Sequence, residues 1–129
     1  MNENRYTVKE EKPDNEDSPK GNVIIYGFLQ KRSKYIHLWK TRFFILTNNY
    51  LFAFTGIEND ADCTMALDLS SILEVSDVES NLETKKTFVI KTIGPNYFFR
   101  AEKEGISNKW KNEINKIVEK NRKNKNNKQ

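Results

Sequence analysis

Residues 31–42 read KRSKYIHLWKTR. They hold five cations (Lys31, Arg32, Lys34, Lys40 and Arg42), one histidine (His37) and no acid. Between the cations stand Tyr35, Ile36, Leu38 and Trp39. A core strand does not carry this much charge, and a solvated loop does not carry this much apolar surface. Phosphate is the natural counterpart of the charge, because arginine offers a planar pair of donors and lysine a compact point charge. An acyl layer just below the phosphates is the natural counterpart of the apolar groups. The segment therefore predicts an anionic membrane surface as partner. Lys31, Arg32, Lys34, Lys40 and Arg42 would bind headgroups, and Tyr35, Ile36 and Leu38 would insert. Each cation near an anionic leaflet contributes about 1 kcal/mol. Burying one or two of the apolar side chains adds on the order of 1.5–3 kcal/mol each. The sum, roughly 7–10 kcal/mol before ordering costs, corresponds to about micromolar binding.

Elsewhere the charge is uneven. The chain is +4 overall, but Gly56 to Thr84 carries eight acids (Glu58, Asp60, Asp62, Asp68, Glu74, Asp77, Glu79 and Glu83) and no lysine or arginine. Acidic and basic segments on opposite sides would make a dipole that an anionic surface orients. The acidic run "ENDAD" fails as a calcium loop, since Met65 stands where glycine is needed and Ser71 where glutamate is needed. No metal and no cofactor are expected. Catalysis finds no support either: His37 and Cys63 have neither base nor orienting partner. Nucleic acid is disfavoured by the crowded acids and the absence of an RNA-binding motif. A lone Cys63, read as a small buried or half-buried hydrophobe, forms no internal disulfide, which suits a reducing compartment. With no secretory leader and no stretch of ~18 apolar residues, a cytoplasmic protein, peripheral on a membrane or secretory organelle, is expected. Met1-Asn2 lacks the glycine of an N-myristoylation site.

The elements that position these groups follow from period and punctuation. Residues 1–21 have two prolines, many charges and only Tyr6 and Val8 as sizeable apolar groups, so a disordered arm is expected. Residues 22–120 form the folded domain. "NVIIYGFLQK", "KTRFFILT", "YLFAFT", "TMALDL", "ILEVSDV", "KTFVIKTI" and "NYFFRAE" read as seven short strands. "NN" at 48–49 and "GPN" at 94–96 mark turns. The period then changes to that of a helix, with Ile106, Trp110, Ile114, Ile117 and Val118 on one face. Residues 121–129, "NRKNKNNKQ", read as a disordered Lys/Asn-rich tail. The fold class is α+β, mainly β: antiparallel strands with an amphipathic C-terminal helix buried against them.

These pieces together resemble the pleckstrin homology family. "GFLQK" at 27–31 is similar to its first-strand signature, "WKTRFFIL" at 39–46 to its second strand and "YLFAF" at 50–54 to its third. Trp110 sits where the family has its helix tryptophan. The resemblance covers residues 22–120. It implies a seven-stranded bent antiparallel β-barrel or sandwich capped by one C-terminal α-helix. It also implies phospholipid headgroup binding through Lys31, Lys40 and Arg42. Members that grip polyphosphorylated inositols tightly carry a tyrosine in the third strand and an arginine before the fifth; here Ala53 and Asp62 align with them. That departure favours phosphatidic acid over a large phosphoinositide. A related barrel that adds a peptide strand beside its helix is the alternative, so a protein partner stays open. A monomer is expected.

Overall fold

The computed structural model describes residues 22–32, 38–78 and 86–127. Within them run seven strands and one long helix: β1 (Val23–Arg32), β2 (Trp39–Thr47), β3 (Tyr50–Phe54), β4 (Cys63–Asp68), β5 (Ile72–Asp77), β6 (Thr87–Thr92), β7 (Asn96–Arg100) and α1 (Glu104–Asn127). A single 3-10 turn, Leu69–Ser71, links β4 to β5. The strands form one antiparallel sheet in the order β4-β3-β2-β1-β7-β6-β5. All seven expected strands are present, within a residue or two of their anticipated ends. The expected arm at 1–21 lies outside the described residues.

β1 holds the sheet together and also lets it bend. It pairs with β2 along its length, from Val23 opposite Thr47 to Arg32 opposite Trp39. With β7 it pairs only at Gln30, Lys31 and Arg32. The first half of β1 therefore diverges from β7, while α1 packs mainly against β5, the 3-10 turn and β6. The indole of Trp110 lies over Gly27, where a Cβ would sit in ordinary contact at 3.9 Å. Alternation then decides the two faces. Leu29, Phe44, Leu46, Leu51 and Ala53 turn inward, where they meet Phe88, Ile90 and Phe99 from the other half of the sheet. Phe44 packs edge-on against both Phe99 (5.5 Å between centroids) and Trp110 (6.3 Å), a favoured geometry for aromatic pairs.

The turns are held by threonine hydroxyls. Thr47 Oγ1 accepts the backbone N–H of Asn49 at 3.2 Å and of Tyr50 at 3.0 Å, so the two asparagines form the tight connection that their composition announces. Thr92 does the same work between β6 and β7.

Two expectations about the helix need correction. Trp110, Ile114, Ile117 and Val118 are buried, but Ile106 is exposed. It occupies the first turn, where Ser107 is buried in its place; Ala101, ahead of the helix, also joins the core. The helix also continues to Asn127, through most of the stretch expected to be a disordered tail. Arg122 explains the extension: it donates to Glu119 one turn back at 2.7 Å and to the carbonyl of Leu73 at 3.0 Å. The second bond ties the helix to an irregularity in β5, between Ile72 and Glu74. Lys125, in the last turn, then suits the negative end of the helix dipole.

Candidate functional site

Register places the cations. Residues directly opposite in an antiparallel ladder share a face. Lys31 is opposite Lys40, and Leu29 is opposite Arg42. Leu29 points into the core, so Lys31, Lys40 and Arg42 all lie on the core-facing side. They stand beyond the last core residues, Leu29 and Phe44, where the barrel opens. Arg42 Nη1 donates to its neighbour's carbonyl, Thr41 O, at 2.9 Å.

The three cations feel one another. Lys31 is half-buried, and its ammonium has a pKa below the ordinary lysine value. Desolvation is the larger cause; the positive charges of Arg42 and then Lys40 add to it. The Lys31 ammonium also sits 5.6 Å from the centre of the Tyr97 ring. This positive cup, with one partly desolvated lysine, has its charge ready for an anion.

Arg32 is not part of this cup. As the next residue after Lys31 it points to the outer face. There its guanidinium lies 4.1 Å from the Phe98 ring centre and 5.6 Å from that of Trp39. Arg100 stacks on Trp39 at 4.2 Å and donates from Nε to Gln30 Oε1 at 2.8 Å. Trp39 is thus a framework residue between two arginines. The ladder Phe98–Arg32–Trp39–Arg100 braces the root of the β1–β2 hairpin from outside, and Arg32 Nε is buried without an acceptor.

Of the groups expected to insert, Leu38 is 58% exposed at the open end. Lys34, Tyr35, Ile36 and His37 lie outside the described residues. Ala53 is fully buried and offers no donor to the cup. Asp62 is exposed and directly precedes β4, not the fifth strand as the alignment expects. It is fixed at the mouth of the β3–β4 connection, where its N–H donates to Thr55 Oγ1 at 3.0 Å and its carbonyl accepts from Thr55 N at 2.9 Å. Cys63 is exposed rather than buried, with Sγ donating to Met65 O at 3.4 Å; it begins an edge strand and points outward. Among the lysines considered as neighbours of the site, Lys91 pairs with Glu74 at 3.7 Å. Lys86 lies at the far end of β6, and Lys85 falls outside the described residues. Tyr97 is the neighbour that sequence reading missed. Its alternation with Phe99 was visible, but the pairing of β7 with β1 was not.

No helix among the described residues is long and apolar enough to cross a membrane. No group of three or more His, Cys, Asp or Glu side chains there could hold a metal ion.

Comparison with known proteins places the chain. It is 32% identical over 104 residues to the human ventricular zone-expressed PH domain-containing protein homolog 1, covering 76% of this chain and 12% of that protein. The rat protein of the same name is 33% identical over 101 residues, 74% of this chain and again 12% of the relative. The chain thus spans about an eighth of these relatives. Among solved structures, the C-terminal PH domain of pleckstrin in complex with D-myo-Ins(1,2,3,5,6)P5 superposes with a TM-score of 0.65 at 29% identity, over 76% of this chain and 97% of that one. The Slm1 PH domain in complex with inositol-4-phosphate superposes at 0.64 with 24% identity, over 75% and 98%. A profile of the PH domain matches residues 23–119; with seven antiparallel strands and a capping C-terminal helix, the chain belongs to the PH domain family.

Proposed function

We propose that this domain is a non-catalytic, monomeric membrane-targeting module that binds anionic phospholipid headgroups in the cup of Lys31, Lys40 and Arg42. The observation that carries the reading is the convergence of these three cations on one face at the open end, around a Lys31 whose proton affinity is lowered by desolvation first and by Arg42 and Lys40 after it. A bound phosphate would relieve their repulsion and compensate the desolvation of Lys31 with its negative charge. Lys34 adds charge from the tip of the hairpin, and Tyr35, Ile36 and Leu38 enter the acyl region beneath. Arg32 contributes long-range charge and braces the hairpin. The similar pleckstrin domain, in complex with an inositol pentakisphosphate, supports a phosphate-bearing ligand.

A small phosphomonoester suits the cup better than a polyphosphorylated ring. Ala53 supplies no hydroxyl, and Asp62 holds a negative charge at the rim. Phosphatidic acid is the preferred headgroup, with phosphoinositides weaker. The layout and the Asn/Lys-rich C-terminal stretch also resemble the small acylated pleckstrin-homology proteins of apicomplexan parasites. That kinship would imply phosphatidic acid on a secretory organelle.

Vesicle flotation tests this directly. Phosphatidylcholine vesicles would carry phosphatidic acid, a bisphosphorylated inositide or neither. Binding to phosphatidic acid vesicles above the other two is the expected result. Binding only to the inositide overturns the headgroup preference. Binding to none overturns the membrane reading.

A further inference from the structure

Ile93 is the most exposed large apolar side chain among the described residues, with 79% of its surface in contact with solvent. It does not hang from a loose loop. The hydroxyl of buried Thr92 donates to Pro95 O at 2.7 Å and accepts from Gly94 N at 3.0 Å. These bonds clamp the β6–β7 turn and hold Ile93 outward.

Register fixes where that turn lies. Phe98 and Phe99 of β7 pair with Arg32 and Lys31, so the residues before them project past the end of β1. The turn therefore sits at the same end as the cationic cup and Leu38. The β3–β4 connection is at that end too, because Phe54 pairs with Phe43 and β2 continues upward to Trp39. Sheet order sets the β1–β2 hairpin in the middle, with the β3–β4 connection on one flank and the β6–β7 turn on the other. The flanks are chemically opposite. One carries exposed Glu58, Asp60 and Asp62; the other, Thr92–Asn96, carries no charge and leads with isoleucine.

We propose that Ile93 is a second bilayer-insertion point, so that the domain docks tilted, with the β6–β7 turn in the membrane and the acidic β3–β4 connection lifted away. This rests on the cup being a membrane site. An anionic surface repels the three carboxylates and admits an uncharged apolar turn, so the tilt follows from charge complementarity on one side and apolar burial on the other. The pinned backbone means that insertion orders little that is not already ordered.

The test uses the whole chain with Cys63→Ser, carrying an environment-sensitive fluorophore on Ile93→Cys or on Asn59→Cys. Vesicles contain phosphatidic acid and a nitroxide-bearing lipid. Expected is a blue shift and quenching at position 93 and neither at position 59. Separately, unlabelled Ile93→Asp should weaken vesicle partitioning about tenfold with an unchanged melting temperature. If the protein binds vesicles but position 93 is unquenched, or both positions are quenched alike, the tilt is overturned and the cup stands. If the unmodified chain binds no acidic vesicle, cup and tilt fall together.

Discussion

Lys31 and Lys40 stand directly opposite each other across the β1–β2 ladder, on the same face. Like charges so placed destabilise a sheet, and here Arg42 adds a third. The proton affinity of Lys31 is lowered, by its desolvation first and by the charges of Arg42 and then Lys40 in addition. At neutral pH both folded and unfolded chains carry the Lys31 proton, and the folded state bears the whole penalty. As pH rises through the lowered folded value, the folded state gives up its proton first. Stability should therefore climb with pH until the ordinary unfolded value, about 10.4, is reached. Lys31→Met keeps the apolar stem and removes the charge. It should raise the melting temperature at pH 7, abolish the alkaline gain and weaken binding to phosphatidic acid vesicles. Thermal denaturation at several pH values, alongside flotation, checks all three; a lowered melting temperature at pH 7 would show that the ammonium is stabilising.

Charge reversal at the cup should be far more damaging to binding than to folding. Lys40→Glu combined with Arg42→Glu changes the local charge by four units. At about 1 kcal/mol per unit near an anionic leaflet, affinity should drop by roughly three decades. Raising the salt concentration should weaken the unmodified protein and have little effect on the variant. Surface plasmon resonance on supported bilayers measures both. Circular dichroism must stay unchanged, because Lys40 is exposed and Arg42 lies beyond the packed core.

What sequence could and could not reveal follows from the range of each interaction. The seven strands, the Asn48-Asn49 turn and the stripe of Trp110, Ile114, Ile117 and Val118 are local signals, and they located the elements. The separation of Arg32 from Lys31 was also available, since neighbours in a strand must face opposite ways. It was masked by reading the segment as one cationic block. Tyr97 beside Lys31 was not legible, because only the pairing of β1 with β7 brings them together. The helical run to Asn127 is accompanied by Arg122 reaching the Leu73 carbonyl, a contact that no window of sequence contains. Ile93 was hidden differently: it continued the apolar pattern of β6, and only the folded-back Thr92 hydroxyl ends the strand before it.

Arg32 should behave as a structural residue. Its guanidinium rests on Phe98 at 4.1 Å and near Trp39. Cation–π contacts contribute about 0.5–2 kcal/mol each, and the apolar stem adds packing. Arg32→Ala should lower the melting temperature by roughly 4–10 °C for a domain of this size. Vesicle affinity should fall by no more than about fivefold, the worth of one leaflet-facing charge. Calorimetry and flotation on the same samples separate the two effects. A loss of binding as large as that from Arg42→Gln, without a loss of stability, would return Arg32 to the cup.

The hairpin tip makes the reverse expectation. Leu38 is exposed and leaves little behind when it is replaced, so Leu38→Asp should alter stability by no more than about 0.5 kcal/mol, the usual range for surface changes. The same variant puts a carboxylate where the reading puts hydrocarbon. Full burial of such a side chain is worth about 1.5–3 kcal/mol, so partitioning into phosphatidic acid vesicles should weaken roughly ten- to hundredfold. Ile36→Asp should act in the same direction. Leu38→Phe keeps the apolar character and should retain binding. If Leu38→Asp instead binds as well as the unmodified chain while Arg42→Gln does not, the cup grips headgroups from above and the hairpin never enters the acyl layer.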